Sequence, residues 1–208
     1  MTMYKAAFFL LAALLALSPH GAMAAQKRIV ALGDSLTAGY GLGRGEDFAA
    51  KLQEALTADG IDVKIDNAGV SGDTSAGGLA RLDWATAGEP KPDLVLVALG
   101  ANDMLRGLDP ALTKDNLSKI ITGLKDRDID VLLVGMRSPA NMGPLFRGKF
   151  DRIYKELAKE HGVPLYPFFL EGVALNAALN LEDGIHPNQD GIALMVKNIL
   201  PAVKKALK

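Results

Sequence analysis

One stretch decides the fold of this chain: Leu94-Val95-Leu96-Val97-Ala98-Leu99, followed at once by Gly100-Ala101-Asn102-Asp103. A nearly continuous Val and Leu run of this length is typical of a strand buried on both faces of a parallel sheet. Residues 131–136 form a second such run, and residues 28–32, 63–66 and 163–166 form shorter ones. The pattern therefore predicts five strands.

Helical patterns lie between these runs, because apolar residues recur at the i, i+3, i+4, i+7 spacing of an inward helix face. The stripes are Phe48, Leu52 and Leu56; Leu117, Ile120, Ile121 and Leu124; and Ile192, Met195, Val196, Ile199, Leu200 and Val203. Strands that alternate with helices indicate an α/β fold, a parallel sheet covered by helices on both faces. These stripes are core positions in this interpretation.

Glycine and short polar residues follow three of the predicted strands. They are Gly33-Asp34-Ser35, Asn67-Ala68-Gly69-Val70-Ser71-Gly72-Asp73 and Gly100-Ala101-Asn102-Asp103. In open α/β sheets ligands bind beyond the carboxyl ends of the strands, so we expect the three clusters at one rim. The same residue types are common in turns and helix caps, and Asp34, Asp73 and Asp103 fit that structural role too.

The chain has three histidines, and only one of them suits catalysis. His20 lies in a predicted leader, and His161 closes a helical pattern just before Gly162. His186 lies in Asp183-Gly184-Ile185-His186-Pro187. A serine hydroxyl needs an adjacent base, and the base needs a group that orients it. Ser35, His186 and Asp183 supply these parts, although a backbone carbonyl is an alternative orienter of His186.

Attack of a serine on an ester carbonyl creates an oxyanion that requires preorganised donors. The backbone amides of Ser35 and Gly72 and the side-chain amide of Asn102 are the predicted donors.

The N-terminus predicts export. Lys5 precedes an apolar run over residues 6–17, and Ala22-Met23-Ala24 ends the segment. These are the parts of a signal peptide cleaved after Ala24, and its apolar run is shorter than the ~20 residues that span a bilayer. We therefore expect a signal peptide over 1–24, one hydrolase domain over 25–208, no stable membrane anchor, and a periplasmic or secreted enzyme.

Composition restricts the partners. The net charge is −1 with no clustered Lys/Arg stripe, which argues against a nucleic-acid partner, and the absence of cysteine excludes disulfides and thiolate ligands. A small-molecule substrate remains, with the oligomeric state open and a monomer favoured.

Four segments together resemble the conserved blocks of the SGNH, or GDSL, hydrolase family. They begin with Gly33-Asp34-Ser35-Leu36, Ser71-Gly72-Asp73-Thr74, Leu99-Gly100-Ala101-Asn102 and Asp183-Gly184-Ile185-His186. The chain is most similar to the family's bacterial periplasmic branch of thioesterases, lysophospholipases and arylesterases.

The resemblance implies a three-layer α/β/α sandwich similar to flavodoxin, with five parallel strands and no cofactor or metal. It implies Ser35 as nucleophile, Gly72 and Asn102 as oxyanion donors, and Asp183 and His186 as the supporting pair. Aryl esters, acyl-CoA and lysophospholipids are the expected substrate types.

Two departures from the family pattern stand out. Ala101 occupies a position where relatives often have glycine, which matters little if its φ is negative. Residues 137–146 resemble a mobile loop over the acyl pocket, and we expect Asn141, Met142, Leu145 and Phe146 to contact substrate. Met142, Pro144 and Leu145 differ in size and stiffness from the residues expected there, so the acyl-chain preference is not inherited.

Three other functions compete with this interpretation. A carbohydrate O-deacetylase would use the same triad. A non-catalytic periplasmic binding module would use the polar clusters to hold a ligand without a nucleophile. A metal-dependent hydrolase would instead bind Mg²⁺ or Mn²⁺ through Asp34, Asp73, Asp103, Asp183 and His186.

Overall fold

The structure, a computed structural model, describes residues 25–207. The signal peptide predicted over residues 1–24 lies outside this range, as does Lys208. Within the described range, no helix has both the length and the apolar character needed to cross a membrane.

The sheet has five parallel strands in the order β2-β1-β3-β4-β5. The strands are β1 (Lys27–Gly33), β2 (Val63–Gly69), β3 (Leu94–Ala98), β4 (Asp130–Val134) and β5 (Leu165–Tyr166). This confirms the predicted five-stranded parallel sheet. Two strands end earlier in the chain than predicted. Strand β3 ends at Ala98, shortly before Gly100 turns the chain with φ 111°, and β4 ends at Val134.

Nine α-helices occur in residues 25–207. They are α1 (Ser35–Ala38), α2 (Phe48–Ala58), α3 (Ser75–Ala80), α4 (Leu82–Ala85), α5 (Ala101–Leu105), α6 (Pro110–Lys125), α7 (Pro144–Phe150), α8 (Ile153–His161) and α9 (Gln189–Ala206). Short 3₁₀ turns cover Ala140–Met142 and Ala177–Leu179. Helix α8 ends, as predicted, beside Gly162, which adopts the left-handed conformation with φ 66°.

The helices form two layers around the sheet. Helices α2 and α9 pack against each other, with α2 on β2 and α9 on β4, while α6 packs against α3, α8 and β4. All three predicted helical stripes face this core, and β1, next to the central strand β3, keeps Ile29, Val30 and Leu32 fully buried. The predicted three-layer α/β/α sandwich is confirmed.

The order of the strands fixes where a site can form. From β1 the chain moves outward to β2, then crosses to the other side of β1 to form β3. The loops that leave β1 and β3 therefore diverge to opposite sides, and a crevice opens between them at the carboxyl ends. Ser35 and Asn102 lie in the first turns of α1 and α5, to which these two loops lead.

Arg81 ties the strand ends together at this rim. Its guanidinium donates to the carbonyls of Gly33, at 2.9 Å, and Ala68, at 2.8 Å, and pairs with Asp73 at 2.7 Å. The ends of β1 and β2 are thus fixed relative to each other by one side chain. Asp73 has the structural role that the sequence left open for it.

Close approach of the chain at the rim also requires glycine at the end of β2. A β-carbon built on Gly69 would overlap the backbone nitrogen of Ala38 in α1. This overlap is relieved only if α1 moves away from β2. Gly148 in α7 offers a contrast, because nothing lies near its missing side chain.

We predict that Gly69→Ala lowers the free energy of unfolding by about 2 kcal/mol or more, through overlap with α1. Thermal unfolding followed by circular dichroism would register this as a Tm lower by about 5 °C or more. Gly148→Ala is the matched control and should leave Tm unchanged or raise it slightly, because alanine favours a helix over glycine. Equal Tm values for the two variants would contradict the close approach.

Candidate active site

Ser35 is presented by the turn that leaves β1. Asp34 precedes it as the N-cap of α1, and its carboxylate accepts a hydrogen bond from the amide of Leu36 at 3.0 Å. The carbonyl of Ser35 accepts from the amides of Gly39 and Tyr40, at 3.1 and 3.2 Å. The nucleophile candidate is therefore held by backbone contacts in a tight single turn.

His186 is presented by a loop that closes on itself. Leu181 donates its amide to the carbonyl of His186 at 2.7 Å, and Asn180 pairs with Pro187 in an antiparallel bridge. Gly184 makes the turn possible with φ 69°. The loop leads into α9, so His186 is anchored to the helical layer.

The structure brings Ser35, His186 and Asp183 together. Ser35 Oγ lies 2.9 Å from His186 Nε2, across 151 positions of sequence. On the other side of the ring, His186 Nδ1 lies 2.6 Å from Asp183 Oδ2. The partner of Nδ1 is thus a carboxylate and not the backbone carbonyl that the sequence left as an alternative.

The Asp183 carboxylate is well prepared to stay ionised. Its other oxygen accepts from the amides of His186, at 3.0 Å, and Ile185, at 2.9 Å. Hydrogen bonds from the His186 amide, the His186 ring and the Ile185 amide lower the pKa of Asp183 to about 2, although its side chain is 36% exposed. At neutral pH it carries the charge that an imidazolium needs as a partner.

The predicted oxyanion donors lie on the same cleft as Ser35. Gly72, with φ 82°, sits in the turn after β2, and Asn102 sits in α5 after β3. Arg106 at the end of α5 donates to the Gly72 carbonyl at 2.6 Å, so the two segments are directly linked. Ala101 does not adopt a left-handed φ, which makes its departure from glycine harmless.

Asp34 is a buried carboxylate beside the nucleophile. It is 1% exposed and accepts a second hydrogen bond from the side-chain amide of Asn102 at 3.3 Å. Burial raises the pKa of Asp34 to about 6, against the opposing effects of the Leu36 amide, the His186 charge and the Asn102 amide. Asp34 therefore caps α1 and also fixes one N–H of Asn102.

The cleft next to the triad has a volume of about 730 Å³ and a largely apolar wall. The apolar lining includes Leu36, Met104, Leu105, Met136, Phe168 and Leu170. Such a size and lining suit a small organic ligand with a few polar contacts at one end. The polar end is the one that carries Ser35, Gly72, Asn102 and His186.

None of the four residues predicted for the substrate loop lines this cleft. Asn141 and Met142 lie in a 3₁₀ turn, Leu145 is 83% exposed, and Phe146 stacks on Phe150 with ring centroids 5.9 Å apart. Residues 137–139, at the start of the predicted loop, do line the cleft, and so does a segment within 168–175. That segment was not predicted from the sequence, although the apolar Phe168 and Leu170 after β5 were an available signal.

The acidic residues of the alternative metal site do not converge. Asp73 pairs with Arg81, and Asp103 accepts hydrogen bonds from the amide and hydroxyl of Ser75. Among residues 25–207, no three His, Asp or Glu side chains come together in a way that would hold a metal ion. Asp103, like Asp73, has a structural role.

The chain is similar to known hydrolases. Residues 31–194 match the GDSL-like Lipase/Acylhydrolase family. The chain is 40% identical to Esterase TesA of Pseudomonas aeruginosa, over 95% of this chain and 98% of that protein. It is 41% identical to Thioesterase 1/protease 1/lysophospholipase L1 of Escherichia coli K12, over 86% of each chain. Its structure matches that of AlinE4, described as an SGNH-hydrolase family esterase, with a TM-score of 0.75 and 47% identity over 89% of this chain and 99% of that one.

We predict that Asp34→Asn stabilises the protein at pH 8. Because burial raises the folded-state pKa of Asp34 from its ordinary 3.8 to about 6, the ionised carboxylate costs about 3 kcal/mol at most above pH 7. This cost fades as pH falls from 6 to 3.8, since the folded protein takes up the proton first. The Tm advantage of Asp34→Asn should therefore be largest at pH 8 and about a third as large at pH 4.5, while kcat falls because Asn102 loses its anchor.

Thermal unfolding of both proteins at pH 8, 6 and 4.5 measures this difference. A Tm gap that does not vary with pH would show that burial of a charge at Asp34 is not its cause.

Proposed function

Because the chain belongs to the GDSL-like lipase/acylhydrolase family, whose related members are esterases and thioesterases, it is an ester hydrolase, and we propose that Ser35, His186 and Asp183 carry the reaction. The observation that supports this assignment most directly is the 2.9 Å contact between Ser35 Oγ and His186 Nε2 beside an apolar cleft.

The first step transfers the acyl group to Ser35. His186 Nε2 accepts the hydroxyl proton as Oγ attacks the carbonyl carbon, and Asp183 stabilises the imidazolium through Nδ1. The amides of Ser35 and Gly72 and the side-chain amide of Asn102 stabilise the oxyanion. Collapse of this intermediate breaks the bond to the alcohol or thiol, which leaves with the proton from His186.

The second step regenerates the enzyme. Water enters the position of the leaving group, gives a proton to His186 and attacks the acyl-enzyme carbonyl. The same donors stabilise the second oxyanion. The bond to Ser35 Oγ then breaks, Oγ regains its proton from His186, and the carboxylic acid departs.

The substrate proposed for this site has an apolar acyl or aryl group. Beside the triad, the cleft wall offers apolar contacts from Leu36, Met104, Met136 and Phe168. This wall suits an apolar group better than it suits the hydroxyl-rich sugar ring that a carbohydrate O-deacetylase binds. Aryl esters, acyl-CoA thioesters and lysophospholipids are the proposed substrate classes. The relatives named esterase and thioesterase/lysophospholipase are consistent with this range.

We propose that the enzyme works outside the cytoplasm, in the periplasm or as a secreted protein. The support is the leader-like composition of residues 1–24, which ends in Ala22-Met23-Ala24.

We predict that Ser35→Ala and His186→Ala each lose nearly all hydrolysis of p-nitrophenyl esters from acetate to palmitate, because each change removes the nucleophile or its base. The chain supplies a matched control pair, Ser118 and His161, which also form a Ser–His hydrogen bond, at 2.8 Å, but lie outside the cleft. Ser118→Ala and His161→Ala should keep their activity.

A fluorophosphonate reagent adds a direct readout, since it should label the unmodified protein at Ser35 and leave Ser35→Ala unlabelled. Full turnover by Ser35→Ala would refute the assignment of Ser35 as the nucleophile. Failure of the reagent to label Ser35 would favour a non-catalytic binding module.

We predict that Asn102→Ala lowers kcat by about 10²–10³-fold with little change in KM, because its amide donor acts mainly on the oxyanion. Steady-state kinetics on p-nitrophenyl butyrate and acyl-CoA would measure both constants. A loss confined to KM would instead place Asn102 in ground-state binding.

A further inference from the structure

The ring of Tyr40 lies against the ring of His186. Their centroids are 4.4 Å apart and their planes make an angle of 36°, so the rings face one another more than they meet edge-on. Tyr40 is 52% exposed, so packing in the core does not fix the position of its ring. The ring instead packs against His186.

The backbone of Tyr40 is fixed by Ser35, the hydrogen-bond partner of His186. Its amide donates to the carbonyl of Ser35 at 3.2 Å, immediately after Gly39 ends α1 in the left-handed conformation with φ 79°. A β-carbon on Gly39 would press against Asp47, so the turn requires glycine. Tyr40 thus contacts Ser35 through its main chain and His186 through its side chain.

The chemistry makes this contact useful. His186 becomes cationic when it takes the proton of Ser35 in the proposed reaction. The face of an aromatic ring attracts a cation whose centre lies within about 6 Å of the ring centroid. The other ionisable groups beside His186 are the carboxylates of Asp183, in its own loop, and Asp34, at the start of α1. Asp183 meets the ring at its edge, through Nδ1, whereas Tyr40 covers a face.

We propose that Tyr40 is a positioning residue for His186, whose ring face holds the imidazole in line with Ser35 and stabilises the imidazolium in both acyl-transfer steps. This inference rests on the proposed function, since it acts through the proposed base. It assigns to Tyr40 a role in proton transfer beyond its place in the cleft wall.

A plain contact between Tyr40 and the substrate would behave differently. Tyr40 also lines the cleft, so its removal as a wall residue would raise KM by an amount that depends on acyl length. Loss of support for His186 would lower kcat by the same factor for every acyl length. The two roles are therefore separable by kinetics.

The test compares Tyr40→Leu, which removes the ring, with Tyr40→Phe, which keeps it. Tyr40→Leu should lower kcat for p-nitrophenyl acetate, butyrate and octanoate alike, by about 3- to 30-fold at pH 8. Tyr40→Phe should stay within about twofold of the unchanged enzyme. Trp84→Leu, which removes an aromatic side chain that is 75% exposed and outside the cleft, is the matched control and should have unchanged kinetics.

The pH profile of kcat/KM adds a readout that a packing role would not move. Without the ring the imidazolium is less stable, so the acid limb should shift to lower pH by roughly 0.5 to 1 pH unit.

An unchanged kcat in Tyr40→Leu would overturn the proposal, as would a loss that grows with acyl length while the acid limb stays in place. Inactivity of Tyr40→Phe at an unchanged Tm would also overturn it, because the hydroxyl and not the ring would then matter. These outcomes differ from failure of the proposed function, which would appear as retained activity in Ser35→Ala or His186→Ala.

Discussion

The hydrogen bond between Ser35 and His186 joins the first strand of the sheet to the last loop of the chain, and the remaining geometry serves to bring these two groups together. Ser35 is set by the turn at the end of β1. His186 is set by a loop whose ends are bridged at Asn180 and Pro187 and which continues directly into α9. Because α9 packs on α2, and α2 packs on β2 beside β1, the position of the imidazole depends on the whole helical layer.

The polar residues at the rim of the sheet form a connected network of hydrogen bonds. Asp34 holds Asn102, Arg106 holds the Gly72 segment, Arg81 holds the ends of β1 and β2 together with Asp73, and Asp103 holds Ser75. Acidic side chains that resemble catalytic groups in the sequence therefore position the proposed catalytic groups. This explains why the four sequence blocks occur together, since each block is hydrogen-bonded to another one across the crevice.

The sequence predicted the sheet, its three layers and the residues that meet at the rim, because buried strands, helical stripes and strand-end turns all leave regular patterns. It predicted substrate contacts at Asn141, Met142, Leu145 and Phe146, whereas the cleft is lined by residues 137–139 at the start of the same predicted loop. Apolar residues in a loop have no period that shows which way they point. In the structure Phe146 packs on Phe150 within α7, whereas an irregular segment after β5 supplies Phe168 and Leu170. The end of β3 was also misjudged, because Leu99 is apolar but is followed by a glycine that turns the chain.

The two halves of the reaction centre are drawn from opposite ends of the described chain, 151 positions apart. Most of the polypeptide must be synthesised before His186 is present. Helix α9 must then pack against the rest of the fold before the imidazole of His186 reaches the hydroxyl of Ser35. An unfinished or unfolded chain consequently holds an inert serine. Hydrolytic activity therefore requires the packing that carries the loop before α9 to the end of β1.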